Sequence, residues 1–229
     1  MENIFKTYFE QQFREQQSRL PFTPRPVVTI SREFGCPSKL IAVMLTDALN
    51  KKNKEKKSPF WQFINKEVVE EAARKLDIKT MDMNSALSYA EKGLMKDILQ
   101  SFTPRYVNSF KLKKTLDDVI KSIAQQGNIV IVGRGSVVIL RDRPCTLHIR
   151  LMAPLDWRVK GISGSKGITE AEALKMATDM DKKRTALIEL LLDRKADHNL
   201  FDIVYNCSTL SKEEVVHSII NIMEARKMI

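Results

Sequence analysis

A three-layer α/β fold with a mainly parallel central sheet is the class this sequence predicts, and three observations predict it. Apolar runs at about residues 26–32, 60–64, 128–134, 146–152 and 201–206 read as strands and alternate with helix patterns. The first run breaks at Gly35 and Pro37 into a helical pattern, giving a strand, a turn and a helix in succession. The third runs into Gly133-Arg134-Gly135, a tight turn of the kind that closes a buried parallel strand.

In chain order, residues 3–20 show a polar helix pattern with Ile4, Tyr8, Phe9 and Phe13 near one face, ended by Pro21, Pro24 and Pro26. This helical extension, residues 1–25, is expected to pack on the domain or on a second subunit, the latter making a homo-oligomer. Residues 26–229 read as one domain, since a chain of 229 residues can bury one sizeable core. Lys51, Lys52, Lys54, Lys56 and Lys57 form a polar run that reads as a solvated loop after the first long helix. Residues 66–126 carry helix patterns and no convincing strand, so a helical insert at about 66–115 and a crossover are expected there. Trp61 and Phe63 are either core or pocket aromatics, and His148, inside a strand, reads as a packed side chain.

Composition narrows the function classes. Lys and Arg total 38 against 28 Asp and Glu, a formal charge of +10 that favours anionic partners. Nucleotides meet that expectation. Nucleic acid would too, but the chain shows no recognition-helix signature and no RNA-binding motif, so nucleic acid is not the expected partner. Cys36, Cys145 and Cys207 form no CxxC pair, and His148, His198 and His217 have no metal-ligand spacing, which argues against a disulfide framework or a zinc site. No apolar stretch reaches membrane-span length and no signal-peptide core is present, so a cytoplasmic protein is expected.

The turn after the first strand is a phosphate-loop candidate. A strand feeding a helix through a glycine turn aims backbone N–H groups and the positive end of the helix dipole at one spot, which suits an anion. The full pattern, GxxxxGK followed by Ser or Thr, uses glycines to wrap the phosphates, a lysine for the terminal phosphates and a hydroxyl for magnesium. Here Gly35 is the only glycine, Pro37 stands where the second belongs, Ser38 at the lysine position and Lys39 one step later. The alternative is an ordinary strand-to-helix turn in which Cys36 is a packed thiol.

Five motif pieces in sequence order resemble the cytidylate kinase-like family of P-loop nucleoside monophosphate kinase relatives. They are Ile30-Ser31-Arg32 with Gly35; Gly133-Arg134-Gly135; Ala153-Pro154 with Arg158; Asp181 with Arg184; and Asp202 with Asn206. The resemblance runs from about residue 27 to the C-terminus and implies a P-loop fold, a mobile lid at about residues 155–185, ATP as phosphoryl donor and Mg2+. It implies that Arg32, Gly35, Cys36, Pro37, Ser38 and Lys39 bind nucleotide phosphates. It further implies that Arg134, Arg158 and Arg184 are catalytic, and that Arg134, Asp181 and Arg184 bind the acceptor, Asp181 at its sugar and Arg184 at its phosphate. Gly161, Gly164 and Gly167 fit a mobile lid loop.

Three departures from the family pattern accompany these likenesses. Val132 stands before the GRG turn and Asn65 after the second strand where relatives carry aspartate, and Ala177 stands where closer relatives carry arginine. Two readings of the fold remain open: a kinase moving the γ-phosphate of ATP to CMP, dCMP or a similar acceptor, and a catalytically impaired nucleotide-binding protein of the same fold with a regulatory or ligand-binding role. A basic nucleic-acid-binding module is the third reading, and it would depend little on Arg134.

Overall fold

The computed structural model describes residues 24–56, 60–64 and 104–229. Five strands, β1 (Val27–Arg32), β2 (Gln62–Ile64), β3 (Ile129–Val132), β4 (Thr146–Met152) and β5 (Ile203–Asn206), form one sheet in the order β2-β3-β1-β4-β5. Every pairing is parallel, with Val27 opposite both Ile129 and Thr146, and Arg32 opposite Leu151. All five lie within the expected strand segments. The expected N-terminal helix, Asn65 and most of the expected insert lie outside the described residues.

Six α-helices, α1 (Ser38–Lys56), α2 (Pro104–Gln125), α3 (Ser136–Ile139), α4 (Leu155–Lys166), α5 (Glu170–Leu192) and α6 (Lys212–Ala225), and one 3-10 turn (His198–Leu200) complete the described chain. The lysine run expected to form a loop begins inside α1, which extends to Lys56.

Strand alternation divides the core into two layers. Val28, Ile30, Leu147, Ile149, Leu151 and Tyr205 point to one face and pack with Ile41, Leu45 and Leu49 of α1 and Ile219 and Met223 of α6. Val27, Ile129 and Ile131 point to the other and meet Leu116, Ile120 and Ile123 of α2. A strand buried on both faces needs apolar residues at successive positions, which is why Ile129–Val132 is an unbroken apolar run. Each fully buried Val or Ile contributes roughly 1.5–3 kcal/mol, so the central strands are the most strongly held part of the fold.

Trp61 is 2 % exposed and hydrogen-bonded through its backbone to the Asn50 side chain, so it is core rather than pocket wall. His148 is packed as expected, its Nδ1 2.7 Å from the Thr29 hydroxyl. At the start of the sheet, the Cys145 carbonyl accepts from Val27 N–H (3.0 Å), and Arg143 donates to the carbonyls of Arg25 and Ala124.

The segment after β4 differs from expectation. Gly161 and Gly164 lie within α4, and only Gly167, at φ 65°, ends it, its N–H bonded to Ser163 O. A glycine inside a helix costs about 1 kcal/mol relative to alanine, and packing offsets that cost. Val159 and Ile162 bury against Ala173 and Ala177 of α5. The next helix starts with a reciprocal cap, Thr169 accepting from Glu172 N–H while the Glu172 carboxylate accepts from Thr169 N–H. The segment expected to form a lid is therefore a capped helical hairpin rather than a glycine loop. Among the described residues no helix is long and apolar enough to cross a membrane.

Candidate functional site

Parallel strands deliver their C-terminal ends to one edge, where ligands of open α/β sheets gather. Here the ends of β1 and β3 bring Arg32 and Arg134 to that edge, and α5 lays Asp181 and Arg184 across it.

The turn after β3 is built by backbone conformation. Gly133, Arg134 and Gly135 have φ of 77°, 59° and 69°, all left-handed. Arg134 is the only side chain of the three, and holding it there costs roughly 1–2 kcal/mol. Such a cost persists where the surroundings fix the residue. A Cβ on Gly133 would overlap the Arg32 guanidinium, and one on Gly135 would overlap Leu191 of α5. The two glycines thus let Arg32 and α5 close onto the turn that carries Arg134.

Three guanidinium groups meet at this edge. Arg184 donates to the Arg32 carbonyl (3.2 Å) and lies 5.4 Å over the Phe34 ring. Burial first, then repulsion from Arg184 and Arg134, lowers the Arg32 pKa to about 10, with Asp181 opposing. Arg184 is lowered as well, chiefly by burial. Among the described residues no carboxylate reaches ion-pair distance of the Arg32 guanidinium. A half-buried cation crowded by two others gathers several guanidinium N–H groups at one edge, and a phosphate dianion can accept from several of them at once.

Asp181 does something the sequence reading did not foresee. Its Oδ1 accepts from the Phe34 N–H at 2.7 Å, its Oδ2 accepts from Arg158 Nη1 at 2.7 Å, and Arg184 Nη1 lies 3.7 Å away. Arg158 is 6 % exposed and also donates to the carbonyls of Ala153 (2.9 Å) and Phe34 (2.9 Å). Asp181 and Arg158 therefore brace the loop in this conformation.

Glu33, absent from the sequence-based candidates, belongs to the same network. It accepts from Ala153 N–H at 3.1 Å and lies 3.4 Å from Arg158 Nε and 3.7 Å from Arg150 Nη2. The signal was present: Glu33 follows Ser31-Arg32 directly, and its partners are the Ala153 and Arg158 of the third motif. Separate pieces of the resemblance converge on one knot.

The loop amides are largely engaged within the protein. Phe34 N–H goes to Asp181, Cys36 N–H to Glu33 O (3.2 Å), and Ser38 N–H to Cys36 O (2.8 Å), while Pro37 has none. Gly35 supplies the turn at φ 95°, and a Cβ there would press on Arg158 and Ile162. Pro37 directly precedes α1, its carbonyl accepting from Ile41 N–H, and its missing N–H leaves no helix hydrogen bond unmade. Ser38 is buried in the first turn; Lys39 is exposed there and joins none of the ion pairs around Asp181.

The fit to the expected cofactors is correspondingly divided. The guanidinium edge fits a phosphate group. The described residues do not fit magnesium as they stand: Glu33 and Asp181 are both paired with Arg158, and no group of three His, Cys, Asp or Glu side chains among them could hold an ion. Ala177, in the place of a further substrate arginine, is fully buried between α4 and α5.

The sheet order, the strand–loop–helix unit and the arginine edge define a P-loop α/β protein of nucleotide kinase-like type. The chain belongs to the cytidylate kinase-like family, whose model matches residues 27–209. Its fold is similar to an uncharacterized protein from Eubacterium ventriosum, 22 % identical, with a TM-score of 0.62 over 88 % of this chain and 99 % of the other. A shikimate kinase from Bacteroides thetaiotaomicron aligns at 11 % identity and a TM-score of 0.48, over 87 % and 98 % of the two chains. A 115-residue stretch, 49 % of this chain, is 27 % identical to a uronate isomerase from Corynebacterium glutamicum and spans 22 % of that protein.

Proposed function

We propose that this protein is a nucleoside monophosphate kinase that moves the γ-phosphate of ATP onto CMP, dCMP or a similar acceptor. The observation that carries the proposal is the convergence of Arg32, Arg134 and Arg184 at the C-terminal edge of the sheet, close enough that Arg184 and Arg134 depress the Arg32 pKa. Phosphoryl transfer asks a protein mainly to position and neutralise phosphates. In this reading Arg134 grips the acceptor phosphate, Arg184 shares it, and Arg32 backs both. ATP, when bound, supplies the transferred phosphoryl group. Arg158 holds Asp181 and the loop, so its role is to position rather than to touch phosphate.

A second reading, a nucleotide-binding protein without turnover, is favoured by the loop amides already engaged by Asp181, Glu33 and Cys36. ATP-dependent phosphorylation across a panel of nucleoside monophosphates, with calorimetric binding on the same samples, separates the two. The kinase reading expects turnover on a pyrimidine monophosphate and a loss of kcat/KM of about tenfold to a hundredfold in Arg134→Ala, the equivalent of one charge-assisted hydrogen-bonding group. Monophosphate binding without turnover supports the second reading. Folded protein that neither binds nor phosphorylates any nucleotide overturns both.

A further inference from the structure

Cys36 and Cys207 are 171 positions apart in sequence and belong to the same buried cluster. The geometry of the sheet brings them together. Glu33 N–H bonds to Leu151 O and Cys207 N–H to Met152 O, so the loop after β1 and the first residue after β5 hang on opposite sides of the end of β4. Alternation along β5 puts Cys207 on the same face as Ile203 and Tyr205, toward α1 and α6. Cys36, immediately before Pro37 and α1, enters that face from the other side. The two thiols face each other within that cluster closely enough to shift one another's pKa.

We propose that Cys36 and Cys207 are a reversible disulfide site, oxidised by a peroxide, that fastens the loop between β1 and α1 to the end of β5. The residues remain 9 % and 8 % exposed, at the sheet edge where ligands enter, so a small oxidant has a route in. Their chemistry is complementary. Interaction between the two side chains, with burial, raises the Cys36 pKa, while the same interaction lowers that of Cys207. In this proposal Cys207 supplies the attacking thiolate and Cys36 the resolving thiol.

The Cys207 thiolate attacks one peroxide oxygen, the O–O bond breaks, and the departing oxygen leaves as water after taking a proton. The resulting Cys207 sulfenic acid is attacked by the Cys36 sulfur. An S–S bond forms, the S–O bond breaks, and the hydroxyl departs as water with the Cys36 thiol proton. Two thiols and one peroxide become one disulfide and two waters. A bond of about 2.05 Å then replaces a non-bonded contact and draws the last residue before Pro37 toward β5. Thiol reductants reverse the step by exchange.

The test needs no nucleotide, so it succeeds or fails independently of the proposed kinase activity. Reduced full-length protein, freed of reductant, is treated with stoichiometric hydrogen peroxide, alkylated, and mapped as peptides without reduction. The expected product is a Cys36–Cys207 peptide pair, lighter by two hydrogens than the separate peptides and parted by dithiothreitol, with Cys145 still alkylated. In Cys36→Ser the pair is absent and a sulfenic-acid trap labels Cys207; Cys207→Ser gives no pair and no trapped Cys36, providing a second variant should the first fold poorly. Alkylation of both Cys36 and Cys207 after peroxide treatment, or linkage of either to Cys145, overturns the proposal.

Discussion

The Asp181 carboxylate accepts the backbone N–H of Phe34 at 2.7 Å, across 147 positions of sequence, and so joins α5 to the loop after β1. The same carboxylate takes Arg158 on its other oxygen. An internal anion thus occupies an amide that a phosphate loop would turn toward its ligand.

Asp181→Asn keeps the shape of that junction and removes its charge. Arg158, which is buried, loses its closest anionic partner, and the expected cost is about 1–3 kcal/mol of folding stability. Urea denaturation of the variant beside wild type measures it; an unchanged midpoint would show that Asp181 does not hold the loop.

Gly133→Ala is expected to disable the arginine edge while leaving the sheet folded. The added methyl overlaps the Arg32 guanidinium, and φ 77° disfavours any side chain by roughly 1–2 kcal/mol. Inorganic phosphate, which should raise the melting temperature of wild type by binding the folded state, should raise that of the variant far less. Thermal melts in phosphate against chloride at matched ionic strength make the comparison.

Ala177→Arg, which would restore the arginine of closer relatives, is expected to destabilise rather than to create a substrate contact. Ala177 has no exposed surface and packs in the α4–α5 seam. Overpacking and burying an unpaired charge together cost about 3 kcal/mol or more. A stable variant with improved pyrimidine monophosphate affinity would show that the hairpin opens readily.

Acid should weaken the fold through His148. Burial lowers its pKa, against an opposing contribution from the Asp202 carboxylate. Between that lowered value and the ordinary one of about 6.5, the unfolded chain takes up a proton that the folded chain refuses. Stability therefore falls as pH drops below about 6.5 and levels off below the folded pKa. Urea midpoints between pH 7 and pH 5 should decline less steeply in His148→Gln than in wild type.

Much of the sheet was legible in the sequence because Ile129–Val132 is an unbroken apolar run, while Val28 and Ile30 in β1 and Leu147, Ile149 and Leu151 in β4 place apolar side chains at alternate positions. The convergence of Arg32, Arg134 and Arg184 could be anticipated from motif order, since parallel strands end at one edge. The orientation of Arg158 could not. Whether an arginine in a first helical turn faces solvent or core depends on Glu33 and Asp181, which are distant in sequence. The glycines of α4 misled for a related reason: local propensity favours a loop by about 1 kcal/mol per glycine, and burial of Val159 and Ile162 outweighs it. The meeting of Cys36 and Cys207 depends on the order β1-β4-β5, which no local pattern specifies.

Cys145 stands at the opposite end of the sheet from the arginine edge, its carbonyl tied to the first residue of β1. The six residues of β1 separate the two ends by roughly 20 Å. A fluorophore on Cys145, in a protein whose other two thiols have been replaced, would sit beyond contact range of any nucleotide held by Arg134. Its signal would follow unfolding and remain silent to occupancy, giving the molecule a built-in position for an internal reference dye.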